Sequence, residues 1–287
     1  MVAISGNTFI VTGGAGGIGG AVATELVGRG ANVVLFDVVP EDKGAAFAKT
    51  VSSDKALYLK VDITDSEGTK KAVETAVEKF GNLKGAVHCA GIAVKRPWSN
   101  DLSDSISDFQ KMLQVNTVGT FIVNAHVADA INKPLNHPDG SSKQAPFWTT
   151  DEERGVIINF ASAAGHGLYA RTLAYGPTKV AVMGITKSFS DFLGPSGIRV
   201  NSISPSIVAS AMTANFSTYF SEDLKKHATF PRRPAAPSDI LPTVVYLIEN
   251  TFVNGQDVAV DGGWRLVTQK AAVEGEDDPR ELAPGLE

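Results

Sequence analysis

Tyr175 and Lys179 are the first residues whose types and spacing could support a reaction. They are four positions apart, so on a helix their side chains project from one face, one turn from each other. An ammonium group beside a phenol favours the phenolate and lowers the tyrosine pKa from its usual value of about 10. A tyrosine tuned in this way can exchange protons near neutrality. The pair therefore predicts acid–base chemistry, although the same spacing also occurs on solvated helix surfaces.

Two further polar residues stand where they could serve the same reaction. Ser162 follows residues 155–160, an apolar run typical of a buried strand, and its hydroxyl could hydrogen-bond the reacting oxygen. Asn116 lies among apolar neighbours in a helical pattern over residues 109–121, where an amide is unfavourable unless it has a partner or a role. Residue type alone leaves a functional asparagine and a hydrogen-bonded core asparagine equally open.

The elements that must position these residues begin with a nucleotide-binding pattern. An apolar strand at residues 8–11 leads into a glycine-rich loop and a helix, and a second strand ends at Asp37. Glycines let the backbone turn tightly and approach a pyrophosphate at the helix N-terminus. A carboxylate at the tip of the second strand can accept hydrogen bonds from the adenine ribose and would repel a 2′-phosphate. Because no Arg or Lys lies in the loop or directly after Asp37, we expect NAD rather than NADP. The loop residues expected to contact it are Gly13, Gly16, Gly17, Ile18 and Gly19.

The next two strands end in residues suited to the same ligand. Asp62 follows a strand at residues 56–61 and is placed to meet the adenine amino group, with Ile63 against the ring. The fourth strand is followed by Cys89 and Gly91, whose small size suggests close approach of the backbone to a ligand. We interpret Cys89 as a small buried hydrophobe rather than as a nucleophile.

Composition excludes several other functions. The net charge is -5 over 287 residues and basic residues form no stripe, so nucleic-acid partners are not expected. A single cysteine excludes an intrachain disulfide and a cysteine-based zinc cluster, and we expect no metal site. No apolar run approaches the ~20 residues that span a bilayer, and the early glycine loop leaves no room for a signal peptide. We therefore expect a soluble protein without membrane partners, in the cytoplasm or alternatively the mitochondrial matrix.

Taken together, the motifs resemble the short-chain dehydrogenase/reductase family. They are Thr12-Gly13-x-x-x-Gly17-x-Gly19, Ser162 and Tyr175-x-x-x-Lys179, set among seven strands separated by helices. The resemblance covers roughly residues 5–265 and implies a Rossmann-type doubly wound α/β fold, a seven-stranded parallel sheet with helices on both faces. Residues 1–265 would then form one domain. It would carry a polar insertion at 133–154 and a lid or substrate segment at 207–237, followed by an acidic tail at 266–287.

The resemblance also implies a role for each site residue. Asn116 would hold a water of a proton relay, Ser162 would polarise the substrate oxygen, and Tyr175 would be the acid/base. Lys179 would lower the tyrosine pKa and bind the nicotinamide ribose. Cofactor contacts would also come from Cys89, Gly91, Tyr175, Pro205 and Val208. His166 and Tyr169 could line the substrate pocket beside Ser162, although such residues are more often packed or solvated.

Three segments, at 89–94, 154–159 and 248–255, are similar to the type II 3-hydroxyacyl-CoA dehydrogenases, also called type 10 17β-hydroxysteroid dehydrogenases. That branch implies oxidation of secondary alcohols of acyl-CoAs or steroids with NAD, and assembly as a homo-oligomer, a tetramer or dimer. His88 and Ser206 stand where the family usually has Asn and Gly. These departures suggest an altered substrate, as in secondary metabolism.

The expected function is NAD-dependent interconversion of a small-molecule secondary alcohol and a ketone, an oxidoreductase acting on CH-OH groups. Two alternatives remain open: a non-redox isomerisation or cyclisation on the same fold, and a non-catalytic scaffold that retains NAD. The complete set of Asn116, Ser162, Tyr175 and Lys179 argues against the scaffold, which needs none of them.

Overall fold

The computed structural model describes residues 1–94, 102–133, 152–167, 172–210, 213, 224 and 228–264. Its seven strands are parallel and lie in the order β3-β2-β1-β4-β5-β6-β7. The strands are β1 Thr8–Thr12, β2 Asn32–Asp37, β3 Ala56–Lys60, β4 Leu83–His88, β5 Gly155–Phe160, β6 Ile198–Pro205 and β7 Asp257–Val260. The predicted seven-stranded parallel sheet is confirmed.

The helices cover both faces of this sheet. They are α1 Gly17–Gly28, α2 Glu41–Val51, α3 Ser66–Phe80, α4 Ile106–Leu113, α5 Gly119–Asn132, α6 Ala163–His166, α7 Gly176–Leu193 and α8 Pro237–Glu249. Alternate residues of a strand point to opposite faces. Accordingly Phe9 and Val11 of β1 belong to a core with α1 and α8, whereas Ile10 belongs to a core with α3 and α5. The fold is therefore doubly wound, as predicted.

The strand order reverses next to β1, since β2 lies on one side of it and β4 on the other. In sheets of this kind ligands bind in the crevice at the carboxyl ends of the strands beside that reversal. The register brings polar residues together there: Thr12 of β1 aligns with His88 of β4, and His88 aligns with Asn159 of β5. The topology thus places the predicted motifs at one edge.

The helix predicted through residues 109–121 is present, and it contains a π-helical turn that the sequence pattern did not indicate. A π-helical turn, Gln114–Val118, separates α4 from α5, and the Gly119 N–H donates to the Gln114 carbonyl five residues before it. Such a turn accommodates one extra residue and is frequent at functional sites. Asn116 lies within it and is fully buried.

Two predicted segments fall wholly or largely outside the described residues. They are the insertion at 133–154, apart from residues 133 and 152–154, and the tail at 266–287. The lid segment is described at residues 207–210, 213, 224 and 228–237, and within it Val208 forms an isolated parallel bridge with Ala235. Within the described ranges, no helix combines the length and the apolar character needed to cross a membrane.

Candidate active site

The glycine-rich loop between β1 and α1 forms one wall of the site. Gly13 and Gly17 have φ values of 62° and 54°, in the left-handed region that favours glycine. A Cβ on Gly19 would lie 2.2 Å from the Gly13 carbonyl oxygen, so the loop is folded tightly upon itself. By contrast, a Cβ on Gly16 would meet nothing within 4 Å. The start of α1 therefore opens onto free space, as an anion at a helix N-terminus requires.

Asp37 at the end of β2 closes this wall. Its carboxylate accepts the Ala15 N–H of the loop at 3.0 Å through one oxygen and the Val38 N–H at 2.7 Å through the other. The Tyr58 hydroxyl supports the turn by donating to the carbonyls of Asp37 and Val39, at 3.0 and 2.6 Å. The carboxylate predicted to select the cofactor is thus fixed beside the glycine loop.

The residues after β3 are placed differently from each other. Asp62 is exposed, and one of its oxygens accepts both the N–H and the hydroxyl of Thr64. The Ile63 side chain is buried in the core, where a Cβ on Gly119 of α5 would meet it at 2.7 Å. The structure thus uses the Ile63 side chain for core packing, whereas the contact expected from the sequence was with an adenine ring.

Asn116 of the π turn fastens the segment after β4. Its carbonyl oxygen accepts the Ile92 N–H at 2.8 Å, and its amide nitrogen donates to the Ile92 carbonyl at 2.9 Å. The same nitrogen donates to the Thr178 hydroxyl at 3.1 Å, and that hydroxyl donates to the Tyr175 carbonyl at 2.7 Å. The Asn116 side chain thus has hydrogen-bond partners, and it also lies among the candidate site residues. The sequence reasoning missed Thr178, although it lies inside the motif between Tyr175 and Lys179.

Lys179 projects from the first turn of α7 into a buried position, with 5% relative exposure. Its Nζ donates to the Phe160 carbonyl at 2.9 Å and lies 5.7 Å from the centroid of the Tyr175 ring. Burial lowers the pKa of Lys179 to about 8, because a charged ammonium is costly away from water. The group is therefore still mainly protonated at neutral pH.

Ser162 is a hydrogen-bonding neighbour of the Tyr175 phenol. Burial raises the pKa of Tyr175 to about 12, and the hydrogen bond to Ser162 acts against that rise. The expectation of a lowered tyrosine pKa is therefore wrong for the chain by itself, because desolvation outweighs the favourable contacts. Ser162 Oγ also accepts the Ala164 N–H at 3.1 Å and so caps α6. The Ser162 hydroxyl is thus positioned as the N-cap of α6.

His88 is the last residue of β4, and its surroundings keep its ring uncharged. It is fully buried, and burial, assisted by the charge of Lys179, lowers the pKa of His88 to about 3, so that the ring is neutral. Its Nδ1 lies 2.7 Å from the Thr12 hydroxyl oxygen, which also accepts the Ala90 N–H at 3.1 Å. Burial likewise raises the pKa of the Cys89 thiol. Neither residue is poised as a nucleophile or base, as the sequence interpretation of Cys89 expected.

The backbone after β4 lies between the glycine loop and the Lys179 side chain. A Cβ on Gly13 would lie 3.0 Å from the Ala90 backbone. One on Gly91 would lie 3.2 Å from Asn116 Oδ1 and 3.3 Å from Lys179 Nζ. The glycine loop and the Lys179 side chain are therefore separated by a single thin segment of chain.

The remaining predicted residues lie around this centre. Pro205 ends β6, and Val208 is buried beside it. His166, expected as a substrate contact, instead has its Nε2 2.7 Å from Asp257 Oδ2. Tyr169 lies outside the described residues, as do all of residues 168–171.

Known proteins resemble this chain over nearly its whole length. A family model described as "Enoyl-(Acyl carrier protein) reductase" matches residues 13–265. A "3-hydroxyacyl-CoA dehydrogenase type-2" of Drosophila melanogaster is 34% identical over 261 residues, 90% of this chain and 97% of the relative. A "3-alpha-(or 20-beta)-hydroxysteroid dehydrogenase" of Mycobacterium tuberculosis is also 34% identical, over 90% of this chain and 89% of its own.

A solved structure agrees with this relationship. The crystal structure of 3-hydroxyacyl-CoA dehydrogenase type-2 from Mycobacterium avium is 28% identical and has a TM-score of 0.77. The match covers 92% of this chain and 98% of that one. The sequence motifs, the parallel sheet and these relatives agree, and the chain belongs to the short-chain dehydrogenase/reductase family.

Proposed function

We propose that this enzyme is an NAD-dependent oxidoreductase that interconverts a secondary alcohol and a ketone. The observation that carries the proposal is the buried Lys179 ammonium 5.7 Å from the centroid of the Tyr175 ring, with Ser162 as a hydrogen-bonding neighbour of the phenol. A phenol, a hydroxyl and a cation held together can bind one substrate oxygen and move its proton. A surface tyrosine–lysine ladder would show neither the burial nor the serine.

The nucleotide-binding wall fits the nicotinamide cofactor that dehydrogenases of this family use. Space at the start of α1 suits a pyrophosphate, and the carboxylate of Asp37 suits the hydroxyls of an unmodified ribose. We therefore propose NAD over NADP, since a 2′-phosphate would meet that carboxylate. When bound, an oxidised nicotinamide supplies a carbon that accepts a hydride. The residues proposed to hold the cofactor are Gly13, Gly16, Gly17, Ile18, Gly19, Asp37, Asp62, Ile63, Cys89, Gly91, Tyr175, Lys179, Pro205 and Val208.

The proton chemistry follows from the side chains. Ser162 Oγ hydrogen-bonds the substrate oxygen and orients it towards the tyrosine. In alcohol oxidation Tyr175 Oη removes the hydroxyl proton, and in ketone reduction it donates that proton. Lys179 stabilises the phenolate by Coulomb attraction, which is strong in a water-poor site. Asn116 keeps the Ile92 backbone and the Thr178 hydroxyl in place beside this group.

The relatives indicate the first substrates to test, 3-hydroxyacyl-CoAs and hydroxysteroids. Each would be incubated with NAD and separately with NADP while the absorbance of the reduced nicotinamide is followed. We expect reduced cofactor to form with NAD and at least one alcohol. No reduced cofactor with any alcohol would favour the two alternatives, a non-redox reaction or a non-catalytic scaffold.

Tyr175→Phe tests the assignment of the acid/base. Removal of a general acid or base typically costs ~10²–10⁴-fold, so we expect at least a hundredfold loss of kcat. Cofactor binding, followed by fluorescence of the reduced nicotinamide, should persist because the substitution removes only the hydroxyl. Near-normal turnover of this variant would refute the mechanism.

We also propose that the chain assembles as a dimer or tetramer. Phe121 of α5 and Phe192 of α7 are exposed apolar side chains, and Phe121 stacks edge-on against Phe189 of α7 at 4.9 Å. Large exposed apolar side chains on adjoining helices are typical of a protein interface. Light scattering on the purified chain should give a mass of two or four subunits, and a monomer at micromolar concentration would contradict this.

A further inference from the structure

A cluster of polar side chains lies at the β7 edge of the sheet, next to the candidate active site. It consists of Asp257, Ser202, Ser204 and His166, and we call it the Asp257 cluster. Asp257 is the first residue of β7 and aligns with Ser202 of β6. Its side chain is 10% exposed, whereas that of His166 is 48% exposed.

The carboxylate is bonded on both oxygens. Ser202 Oγ and Ser204 Oγ both donate to Oδ1, and Ser204 Oγ is also 2.8 Å from Oδ2. His166 Nε2 lies 2.7 Å from Oδ2. An ionised carboxylate only accepts hydrogen bonds, so the proton of this last bond belongs to Nε2. His166 is therefore held by an acceptor that is itself fixed to β6.

His166 ends the helix that Ser162 begins. The helix α6 has four residues, with Ser162 as its N-cap and His166 as its last residue. A helix of one turn has no intrinsic stability, so its position depends on tertiary contacts. One such contact is at Gly165, where a Cβ would lie 3.2 Å from the Lys179 carbonyl carbon and 3.3 Å from the Val180 nitrogen. The bond from His166 to Asp257 provides a second contact at the far end.

We propose that His166 is a positioning residue, which acts through Asp257 to hold α6 and hence the Ser162 hydroxyl in register with Tyr175. This inference rests on the proposed oxidoreductase function. In the proposed reaction the His166 imidazole contacts no reacting atom, and it does not take the place of Tyr175 or Lys179. Asp257 begins β7, so the edge strand takes part in the geometry of the site.

The test compares substitutions that keep or remove the bond. His166→Phe removes the Nε2 donor at similar volume, whereas His166→Gln retains an N–H donor at a similar distance. Asp257→Asn keeps an oxygen for the serines and can still bond His166 after a change of tautomer. His126→Phe is the matched control, because His126 on α5 bonds the Ser66 hydroxyl at 3.0 Å, away from α6.

Kinetics on the best alcohol substrate give the first result. A misplacement of about 1 Å can cost ~10²-fold in rate, so we expect His166→Phe to lower kcat by about tenfold to a hundredfold. The KM for NAD should stay unchanged, and His166→Gln, Asp257→Asn and His126→Phe should stay within about threefold of the parent. Equal losses for His166→Phe and His166→Gln, or no loss for His166→Phe, would overturn the proposal.

Hydrogen exchange gives a second result that does not depend on turnover. The turn has backbone bonds from Gly165 N–H to the Ser162 carbonyl and from Gly167 N–H to the Ala163 carbonyl. Amides of residues 163–167 should exchange about tenfold faster in His166→Phe than in His126→Phe, with exchange of β5 unchanged. Equal exchange in the two variants would refute the positioning role. Lack of turnover by the unsubstituted chain, with exchange as expected, would refute only the oxidoreductase proposal.

Discussion

Lys179→Met is expected to change how stability depends on pH, because the structure buries an ammonium group. The pKa of Lys179 is lowered from 10.5 to about 8 in the folded chain. Between those values the unfolded chain binds more protons than the folded one, so the free energy of unfolding rises with pH. Below about pH 8 both states carry the proton, and the folded state bears the cost of burying it.

The magnitude follows from the size of this shift. Each pKa unit corresponds to 1.36 kcal/mol, so the shift from 10.5 to about 8 sets an upper limit of about 3 kcal/mol. Most of this appears between pH 7 and pH 10. Over that interval we expect the free energy of unfolding to rise by about 2 to 3 kcal/mol more in the unsubstituted chain than in Lys179→Met. The variant should be inactive at both pH values.

Urea unfolding followed by tryptophan fluorescence, at pH 7 and pH 10 and one protein concentration, measures the difference. Other groups titrate in both proteins, so their contributions cancel in the comparison. Lys187→Met is the control, since Lys187 is exposed on the same helix and should show no such dependence. The burial argument would be refuted if the free energies of unfolding of the unsubstituted chain and of Lys179→Met differed by the same amount at pH 7 and at pH 10.

Three further substitutions test other parts of the structure. Asp37→Ser should raise kcat/KM for NADP relative to NAD by at least tenfold, as measured in parallel assays, because it removes the carboxylate that opposes a 2′-phosphate. Gly19→Ala should weaken cofactor binding at least tenfold in fluorescence titrations, because its Cβ would lie 2.2 Å from the Gly13 carbonyl oxygen. Arg199→Leu should lower the free energy of unfolding by about 3 to 5 kcal/mol in urea, because the buried guanidinium bonds Glu153 and the carbonyl groups of α8.

The parts of this protein that could be predicted from sequence are those set by local pattern. Strand runs such as residues 155–160 and the glycine loop before α1 depend on neighbouring residues, and the structure has them as predicted. Asp65 caps α3 by accepting the Gly68 N–H at 3.1 Å, and Gly81 ends that helix with a φ of 63°. Both signals are contained within a few residues of the chain.

The parts that could not be predicted depend on contacts between distant residues. His166 and Asp257 are 91 positions apart, and nothing near either residue indicates the other. The pKa of Tyr175 required the balance of burial against hydrogen bonding, and spacing alone suggested the opposite direction. The π turn at Gln114–Val118 has no composition signal of its own, since its apolar pattern also suits an unbroken α-helix.

The small size of Gly91 is explained by neighbouring residues of the same chain. Its small size predicted close approach of a ligand, yet the nearest groups are Asn116 Oδ1 and Lys179 Nζ of the same chain, at 3.2 and 3.3 Å from a Cβ placed there. Asn116 forms two hydrogen bonds with the backbone of Ile92, the residue after Gly91. These bonds hold the Gly91 backbone close to the Lys179 ammonium. The π turn, the segment after β4 and α7 thus meet at one glycine. A side chain there would press on both Lys179 and Asn116, so we expect a substitution at Gly91 to affect the proposed cofactor site and the proposed proton chemistry together.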